Sequence, residues 1–174
     1  MAKLIPDKLN DFKVYVNGSP DLKGVADLQL PSFEAMTDTL SGGGIAGEIE
    51  TPNLGHFQSM RLTINWTSIL DDLSEFFKPQ AVMVDCRLAN QEFNPAKGQP
   101  EIKATRVVVR GIPVTNNLGN AQKGGKYEGS TEIEVIYIKV ERGQKTLVEL
   151  DKINYIYKVD GVDYMAQIRE ALGM

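Results

Sequence analysis

The chain has 174 residues, of which 42% are hydrophobic and 24% are charged, and its formal net charge is −4. This size predicts one globular domain over residues 1–174, and the slight acidic excess gives no indication of nucleic-acid recognition. The N-terminus lacks the apolar core of a secretion signal and no run approaches the roughly 18 apolar residues of a membrane span, so we expect a soluble protein made in the cytosol, without a membrane segment.

The first predicted element is a hairpin. Residues 12–16 have the composition of a short strand, and residues 17–21, Asn-Gly-Ser-Pro-Asp, have strong turn chemistry. Residues 22–30 alternate between apolar and polar side chains, so we expect them to pair back on the first strand. Pro31 then ends this strand or marks a sheet edge.

A glycine-tipped arm is predicted over residues 34–50. Three consecutive glycines give its tip backbone freedom. A phosphate-binding loop does not fit, because no Lys-Ser/Thr pair and no helix follow the glycines. Apolar side chains along such an arm need another surface, which an identical chain supplies most simply; the alternative is a loop that is disordered in the monomer. The residues predicted for this inter-subunit contact are Phe33, Met36, Leu40, Gly42, Gly43, Gly44, Ile45 and Ile49.

A loop over residues 51–55 is predicted to lead into a strand over residues 57–66. Thr67 or Ser68 is then expected to cap an α-helix that Pro79 terminates and that covers one mouth of the sheet. The inward face of the strand is predicted to carry Met60, Leu62, Ile64 and Trp66. The apolar stripe of the helix is predicted to comprise Ile69, Leu70, Leu73, Phe76 and Phe77.

Strands dominate the rest of the chain. The predicted strands are residues 81–91, 101–114, 127–140 and 145–156, with a polar connection at 116–125, a turn at 159–163 and a terminal helix over 164–172. Strands that are adjacent in sequence predict a mainly β fold of antiparallel sheets, sandwich-like or barrel-like, with one internal and one C-terminal helix.

The third long strand alternates clearly. Its apolar row is predicted to be Ile133, Val135 and Tyr137. Its polar row is expected to face a water-filled channel; the alternatives are an outer solvent face or a contact with a neighbouring chain. That row consists of Glu128, Ser130, Glu132 and Glu134.

Single copies of cysteine and histidine restrict the available chemistry. Cys86 lies in an apolar strand and is expected to be a buried structural thiol, and His56 is expected to be an exposed loop residue. No zinc-binding or nucleophile-histidine pattern is present in the sequence. We therefore predict no metal site, and an enzyme would be left with carboxylate acid–base chemistry alone.

Several segments together resemble the major tail tube protein of contractile-tailed bacteriophages and of the related contractile R-type bacteriocins. The resemblance spans nearly the whole chain in order. It rests on Leu30-Pro31, residues 40–47 (Leu-Ser-Gly-Gly-Gly-Ile-Ala-Gly), Arg110-Gly111, residues 160–163 (Asp-Gly-Val-Asp) and residues 169–174 (Arg-Glu-Ala-Leu-Gly-Met). The chain departs from the family pattern at Ile45, where methionine is usual, and at residues 116–125.

The resemblance implies a tail tube fold and a structural role, with no enzyme activity and no cofactor. Six identical chains would form a ring, and stacked rings would form a tube inside a contractile sheath, through which phage DNA passes without specific binding. The implied partners are the tail sheath, baseplate and tail-terminator proteins, and the implied location is a virion tail or bacteriocin particle assembled in the host cytoplasm. The alternative from another class is a small β-barrel ligand-binding module, which would need a concave site lined by aromatic residues.

Overall fold

The computed structural model describes residues 4–19 and 24–174, and these residues are mainly β-strands. A 3₁₀ helix covers Asp71–Phe77, and an α-helix, α1, covers Ala166–Ala171. The strands are β1 (Ile5–Val16), β2 (Val25–Gln29), β3 (Ala35–Leu40), β4 (Ile49–Phe57), β5 (Arg61–Trp66), β6 (Val82–Asn94), β7 (Gln99–Asn117), β8 (Gly129–Arg142), β9 (Lys145–Asp151), β10 (Ile156–Val159) and β11 (Val162–Asp163).

Within the described residues, nine strands form one antiparallel sheet that contains the path β1-β6-β7-β8-β9-β10-β11. β8 organises this sheet, because its first half pairs with β5 and its second half with β9, while β7 runs along its other side. β2 extends the sheet beyond β5. The prediction of a mainly β, antiparallel fold with two helices is confirmed, but the sheet is open rather than closed into a barrel.

The buried hydrophobic side chains of the described residues form one core cluster. The alternation in β5 was predicted correctly, because its apolar side chains are all buried while the intervening ones are more exposed. The same cluster receives side chains from β1, β6, β7, β8 and β9. Its members include Val14, Val16, Met60, Leu62, Ile64, Trp66, Leu73, Phe76, Val82, Val84, Cys86, Val107, Val109, Ile133, Val135, Ile138 and Leu150.

The predicted N-terminal hairpin is wrong, because β1 pairs with β6 and β2 pairs with β5. Asn17 and Gly18 do form a turn, with φ angles of 49° and 76°. However, the Asn17 side-chain Oδ1 accepts a hydrogen bond from the backbone N–H of Met83 at 3.0 Å, which ties the turn to β6. Turn chemistry marks where a chain reverses but does not select the strand that receives it. Residues 20–23, which include part of the predicted turn and second strand, lie outside the described residues.

The predicted α-helix after β5 is a 3₁₀ helix, and this changes which side chains share a face. Three residues make one turn of a 3₁₀ helix, so positions i, i+3 and i+6 align. Leu73 and Phe76 are buried and Leu70 packs against them. Ile69 and Phe77, which the α-helical stripe included, are instead more than half exposed.

The predicted cap of this helix is also wrong. Leu70 occupies the N-cap position without a side-chain hydrogen bond. The Thr67 hydroxyl instead donates to the carbonyl oxygen of Gly24 at 3.0 Å, and Ser68 makes no cap. The extended backbone before the helix is therefore anchored to the entry of β2 rather than to the helix itself.

The alternation of β8 changes phase in the middle of the strand. Arg110 of β7 pairs with Tyr137, whereas the next residue of β7, Gly111, pairs with Val135, so Ile136 is an extra residue in β8. After this bulge Ile138 is buried, while Tyr137 turns to the opposite face. The prediction that placed Tyr137 in the apolar row with Val135 is therefore wrong, because a bulge reverses side-chain parity.

The strands near the C-terminus are shorter than predicted. β9 ends at Asp151, whose carboxylate accepts hydrogen bonds from the backbone N–H groups of Ile153 and Asn154 and so forms a turn. The chain returns as β10, and the predicted turn at residues 159–163 joins β10 to β11. These short strands build the sheet edge beside the C-terminal helix.

Helix α1 is shorter than the predicted range of 164–172 but ends as expected at Gly173, whose φ is 72°. The backbone N–H of Met174 donates to the Arg169 carbonyl oxygen, and that of Gly173 donates to the Glu170 carbonyl oxygen. This bond pair is the Schellman pattern that glycine permits. Of the helix's apolar residues Met165, Ile168 and Leu172, only the N-cap residue Met165 is buried.

Candidate assembly interface

The arm is a β-hairpin that projects from the main sheet. β3 and β4 pair with each other and form a separate two-stranded sheet. Its base is fixed by an edge-to-face contact between Phe33 and Phe57, with ring centroids 5.7 Å apart, and by a hydrogen bond from Gln58 N–H to the Glu34 carbonyl oxygen. The hairpin is therefore attached to the rest of the protein by defined contacts at its base, and most of its residues are exposed. The predicted loop over residues 51–55 is wrong, because these residues belong to β4.

The tip of this hairpin depends on glycine. The backbone N–H of Ile45 donates to the Gly42 carbonyl oxygen at 3.1 Å and closes a tight turn. Gly44 and Gly47 have φ angles of 91° and 133°, which side-chain-bearing residues rarely adopt. A Cβ atom at any of the three consecutive glycines would meet open space. The glycines therefore shape the turn and do not make room for a local neighbour.

Apolar side chains on the hairpin are left exposed. Two-stranded hairpins are marginal in water unless one face is covered. Sequence reasoning missed Leu54, because the Pro52-containing segment was assigned to a loop. The predicted contact residues that are exposed are Phe33, Met36, Leu40, Gly42, Gly43, Gly44 and Ile49, whereas Ile45 is half-buried.

The predicted polar row lies partly as expected on the face of β8 opposite the core. Ser130, Glu132 and Glu134 are half-buried and alternate with buried residues. Glu128 precedes the strand and has a φ of 52°, so it is not part of this row. The Arg61 guanidinium pairs with Glu132 at 2.5 Å.

Glu134 connects this row to the base of the hairpin. Its carboxylate accepts a hydrogen bond from the Ser59 hydroxyl at 2.6 Å and lies 3.6 Å from the Lys152 ammonium. Lys152 also donates to the Gln58 carbonyl oxygen at 3.0 Å. Two of the carboxylates in the row are thus engaged by cations of the same chain.

A second charged network lies on the outer face of β6, β7 and β8. Asp85 accepts hydrogen bonds from Arg106 at 2.9 Å and from Arg87 at 3.3–3.4 Å. Partial burial raises the pKa of Asp85, but the hydrogen bonds and positive charges of Arg106 and Arg87 outweigh it and hold the pKa below its ordinary value. Glu141 lies 3.7 Å from Arg106 and 2.6 Å from Lys139.

Beside this network is an open groove of about 610 Å³. Its floor includes Ala89 and Ala104, which face each other across β6 and β7, and Ile102 lies at one end. The small alanine side chains leave a depression between longer neighbours. Three cations, Lys13, Arg87 and Arg106, and two carboxylates, Asp11 and Glu141, also line the groove.

The sheet has free edges at β1, β2 and β11, each of which pairs with one strand within the described residues. β1 is the longest at 12 residues. An exposed edge presents unpaired backbone N–H and C=O groups to any other strand. These edges and the hairpin are the surfaces on which another chain can add.

The two residues considered for chemistry have structural environments. Cys86 is buried, and burial together with the Asp85 charge raises its pKa to about 12, so its thiol is protonated at neutral pH. His56 is exposed at the base of the hairpin and packs edge-on against Tyr155, with ring centroids 6.5 Å apart. Among the described residues, no three His, Cys, Asp or Glu side chains converge as metal ligands, and neither helix is long and apolar enough to cross a membrane.

Comparison with known proteins gives a consistent family assignment. The family model described as phage tail tube protein FII matches residues 6–173. The chain is 29% identical to the tail tube protein of Escherichia phage P2 over 177 residues, which cover 98% of this chain and 99% of that protein. It is 24% identical to the major tail tube protein of Serratia phage KSP20 over 171 residues, with 98% of each chain covered.

Proposed function

The chain belongs to the phage tail tube protein FII family and is a structural, non-enzymatic tail protein; from this we propose that six copies close into a ring and that rings stack into a hollow tube. The observation that carries the proposal is the projecting hairpin, whose apolar side chains remain exposed in the single chain. Burying them against identical chains would supply the hydrophobic stabilisation that the hairpin lacks alone. In this proposal the arm of residues 34–50, extended to Phe57, is the connector between subunits.

Free strand edges support the same proposal. An edge strand as long as β1 favours uncontrolled pairing unless something covers it. Closure of a ring through identical contacts would cover the edges of every subunit at once. Ordered addition of chains would thus remove the edges that make a lone subunit prone to aggregation.

We propose further that the face carrying Ser130, Glu132 and Glu134 lines the central channel, with Glu128 at its end. Arg61 and Lys152 are already paired with the carboxylates of this row, so they offer little attraction to phosphate groups. DNA would therefore pass without specific binding. The alternatives are an outer solvent face or a contact with a neighbour. A structure of the assembled tube tests this assignment, which is overturned if Glu132 lies on the outer surface.

The tube would act inside a contractile tail. Its partners would be the sheath protein around it and the baseplate and tail-terminator proteins at its ends, and it would be assembled in the cytoplasm of the bacterial host. In a virion the tube would conduct DNA; in a bacteriocin-type particle it would pierce the envelope. Capsid and terminase genes beside this one would support the virion, and their absence would support the bacteriocin.

Electron microscopy of the purified protein, alone and with its baseplate partners, tests the central proposal. Stacked six-membered rings are the expected result. A protein that stays monomeric at high concentration in both samples would overturn the proposal. Affinity of such a monomer for a small ligand would instead favour the binding-module alternative.

A further inference from the structure

The hairpin is acidic as well as apolar. From Gly24 to Met60 the sequence contains five Asp or Glu residues and no Lys or Arg, so this segment has a formal charge of −5. The whole chain has 23 acidic and 19 basic residues, which leaves 18 acidic and 19 basic residues elsewhere and a formal charge of +1. All of the net negative charge is thus concentrated in the segment that contains the hairpin. A surface that covers the hairpin must therefore be apolar and cationic.

The groove beside Ala89 and Ala104 has this character. Lys13, Arg87 and Arg106 occupy directly opposed positions on β1, β6 and β7, which places three cations in one rung across the sheet. Like charges in opposed positions destabilise a sheet. Asp85 is shared between the two arginines and Glu141 lies 3.7 Å from Arg106, yet the two arginine side chains remain 57% and 47% exposed. Arg87 and Arg106 therefore retain exposed guanidinium surface that can bind an external carboxylate.

The two surfaces also match in spacing. On the hairpin, Leu40 and Ile49 are directly paired, and Asp38 lies two residues from Leu40 on the same face. In the groove, Ala89 and Ala104 are directly paired, and the cationic rung lies two residues away on the same face. Two residues along a strand span about 7 Å on each surface. The apolar pair and the carboxylate can therefore meet the alanine pair and the arginines together.

The hairpin and the groove lie at different ends of the chain's sheet. The hairpin base is held at Val135, whose N–H donates to the Met60 carbonyl oxygen, whereas the groove adjoins Gly143 beyond the other end of β8. Eight residues of strand separate these points by about 25 Å. A contact between different surfaces of identical chains is head-to-tail and propagates from subunit to subunit.

We propose that the hairpin of one chain docks in this groove of a second copy, with Leu40 and Ile49 over the alanine pair and Asp38 bound by Arg87 and Arg106. This inference rests on the proposed tube and names the partner surface of the hairpin. It differs from a general apolar contact, because only one face of the hairpin carries it. Glu50 pairs with Thr39 and therefore lies on the opposite face, where its charge has no role in the contact.

Charge exchange tests the docking. We expect Asp38→Arg to lower tube yield about tenfold or more, because a reversed interfacial charge costs at least that factor. Glu50→Lys, on the other face of the same hairpin, is the matched control and should assemble normally. Arg87→Asp should also lose tubes, whereas Lys123→Asp in the distant loop should not. The double variant Asp38→Arg with Arg87→Asp should recover most of the yield, which a merely misfolded chain would not do.

Cross-linking gives an independent readout in assembled tubes. Leu40→Cys combined with Ala89→Cys should form disulfide-linked oligomer ladders on oxidation, and Thr39→Cys combined with Ala89→Cys should not. The docking would be overturned if Asp38→Arg assembled as well as the wild type. It would also be overturned if the Leu40→Cys and Ala89→Cys variant formed tubes that gave no disulfide-linked ladders. Either result would leave the tube proposal intact. Failure of the wild-type chain to form tubes would overturn both.

Discussion

The indole Nε1 of Trp66 donates a hydrogen bond to the Thr131 hydroxyl at 3.0 Å inside the core, between the paired strands β5 and β8. Thr131 in turn donates to Asn116 Oδ1 at 3.0 Å, and Asn116 Nδ2 donates to the Phe76 carbonyl oxygen at 2.9 Å. This chain of bonds joins three neighbouring strands to the 3₁₀ helix. It satisfies buried polar groups that would otherwise destabilise the core.

We expect Thr131→Val to lower the free energy of unfolding by about 1–3 kcal/mol, because it leaves the Trp66 indole N–H without its acceptor at nearly unchanged volume. Thr131→Ser keeps the hydroxyl and should cost only about 1 kcal/mol for the lost methyl group. Urea denaturation of the unassembled variants measures both values. A Thr131→Val variant as stable as the Ser variant would show that the bond contributes little.

Gly111 is required by close packing at the β7–β8 bulge. A Cβ atom at this position would overlap the backbone carbonyl oxygen of Glu134 and approach Ile133 Cγ2. We expect Gly111→Ala to destabilise the fold by about 1–3 kcal/mol, because the strands must separate. Gly43→Ala at the exposed hairpin tip, where a Cβ meets open space, is the matched control and should melt like the wild type. Thermal unfolding compares them; equal melting temperatures would contradict the packing argument.

Acid should weaken the charged network around Asp85. The pKa of this carboxyl is lowered in the folded state from its ordinary value of 3.8, so its stabilising contribution is complete above that value. The contribution is lost as the pH falls below 3.8 and through the folded-state pKa. Urea midpoints of the wild type should therefore fall more steeply from pH 5 to pH 2.5 than those of Asp85→Asn. If the urea midpoints of the wild type and of Asp85→Asn fell in parallel as the pH was lowered, the acid sensitivity would belong to other groups.

Deletion of Ser41–Gly47 should leave a folded monomer but abolish tubes. The removed residues form the exposed tip and contribute no buried side chain to the core. We expect an unchanged circular dichroism spectrum and loss of filaments by electron microscopy. Lys123→Asp, in a different exposed loop, serves as a folded control that assembles. Normal tube yield from the deletion variant would show that the hairpin tip is not the connector.

The sequence was sufficient to predict the elements with regular alternation. Met60, Leu62, Ile64 and Trp66 repeat every second residue without interruption, and the structure buries all four. Prediction failed where the period changes within an element. Ile136 inserts one residue into β8, and no local sequence signal marks that shift.

The pairing partner of each strand was the second feature that the local sequence pattern could not predict. Asn17-Gly18 indicates a reversal, but the strand that pairs with β1 lies about 80 residues further along the chain and is selected by core packing. For the interface, the exposed apolar side chains of the arm were predictable from composition, yet the cationic rung was not. Lys13, Arg87 and Arg106 are far apart in sequence and become neighbours only through strand register.

The pairing of β1 with β6 has a consequence for synthesis on the ribosome. The partner of Ile5 is Phe93, and one of the two partners of β5 is β8, which begins at Gly129. The early strands therefore emerge long before the segments that complete their ladders, and such distant pairing slows folding. The cationic rung, which needs β1, β6 and β7 in register, forms only after most of the polypeptide has been translated. Under the proposed docking, a nascent chain would therefore be unable to bind the arm of a finished subunit until its own sheet had formed.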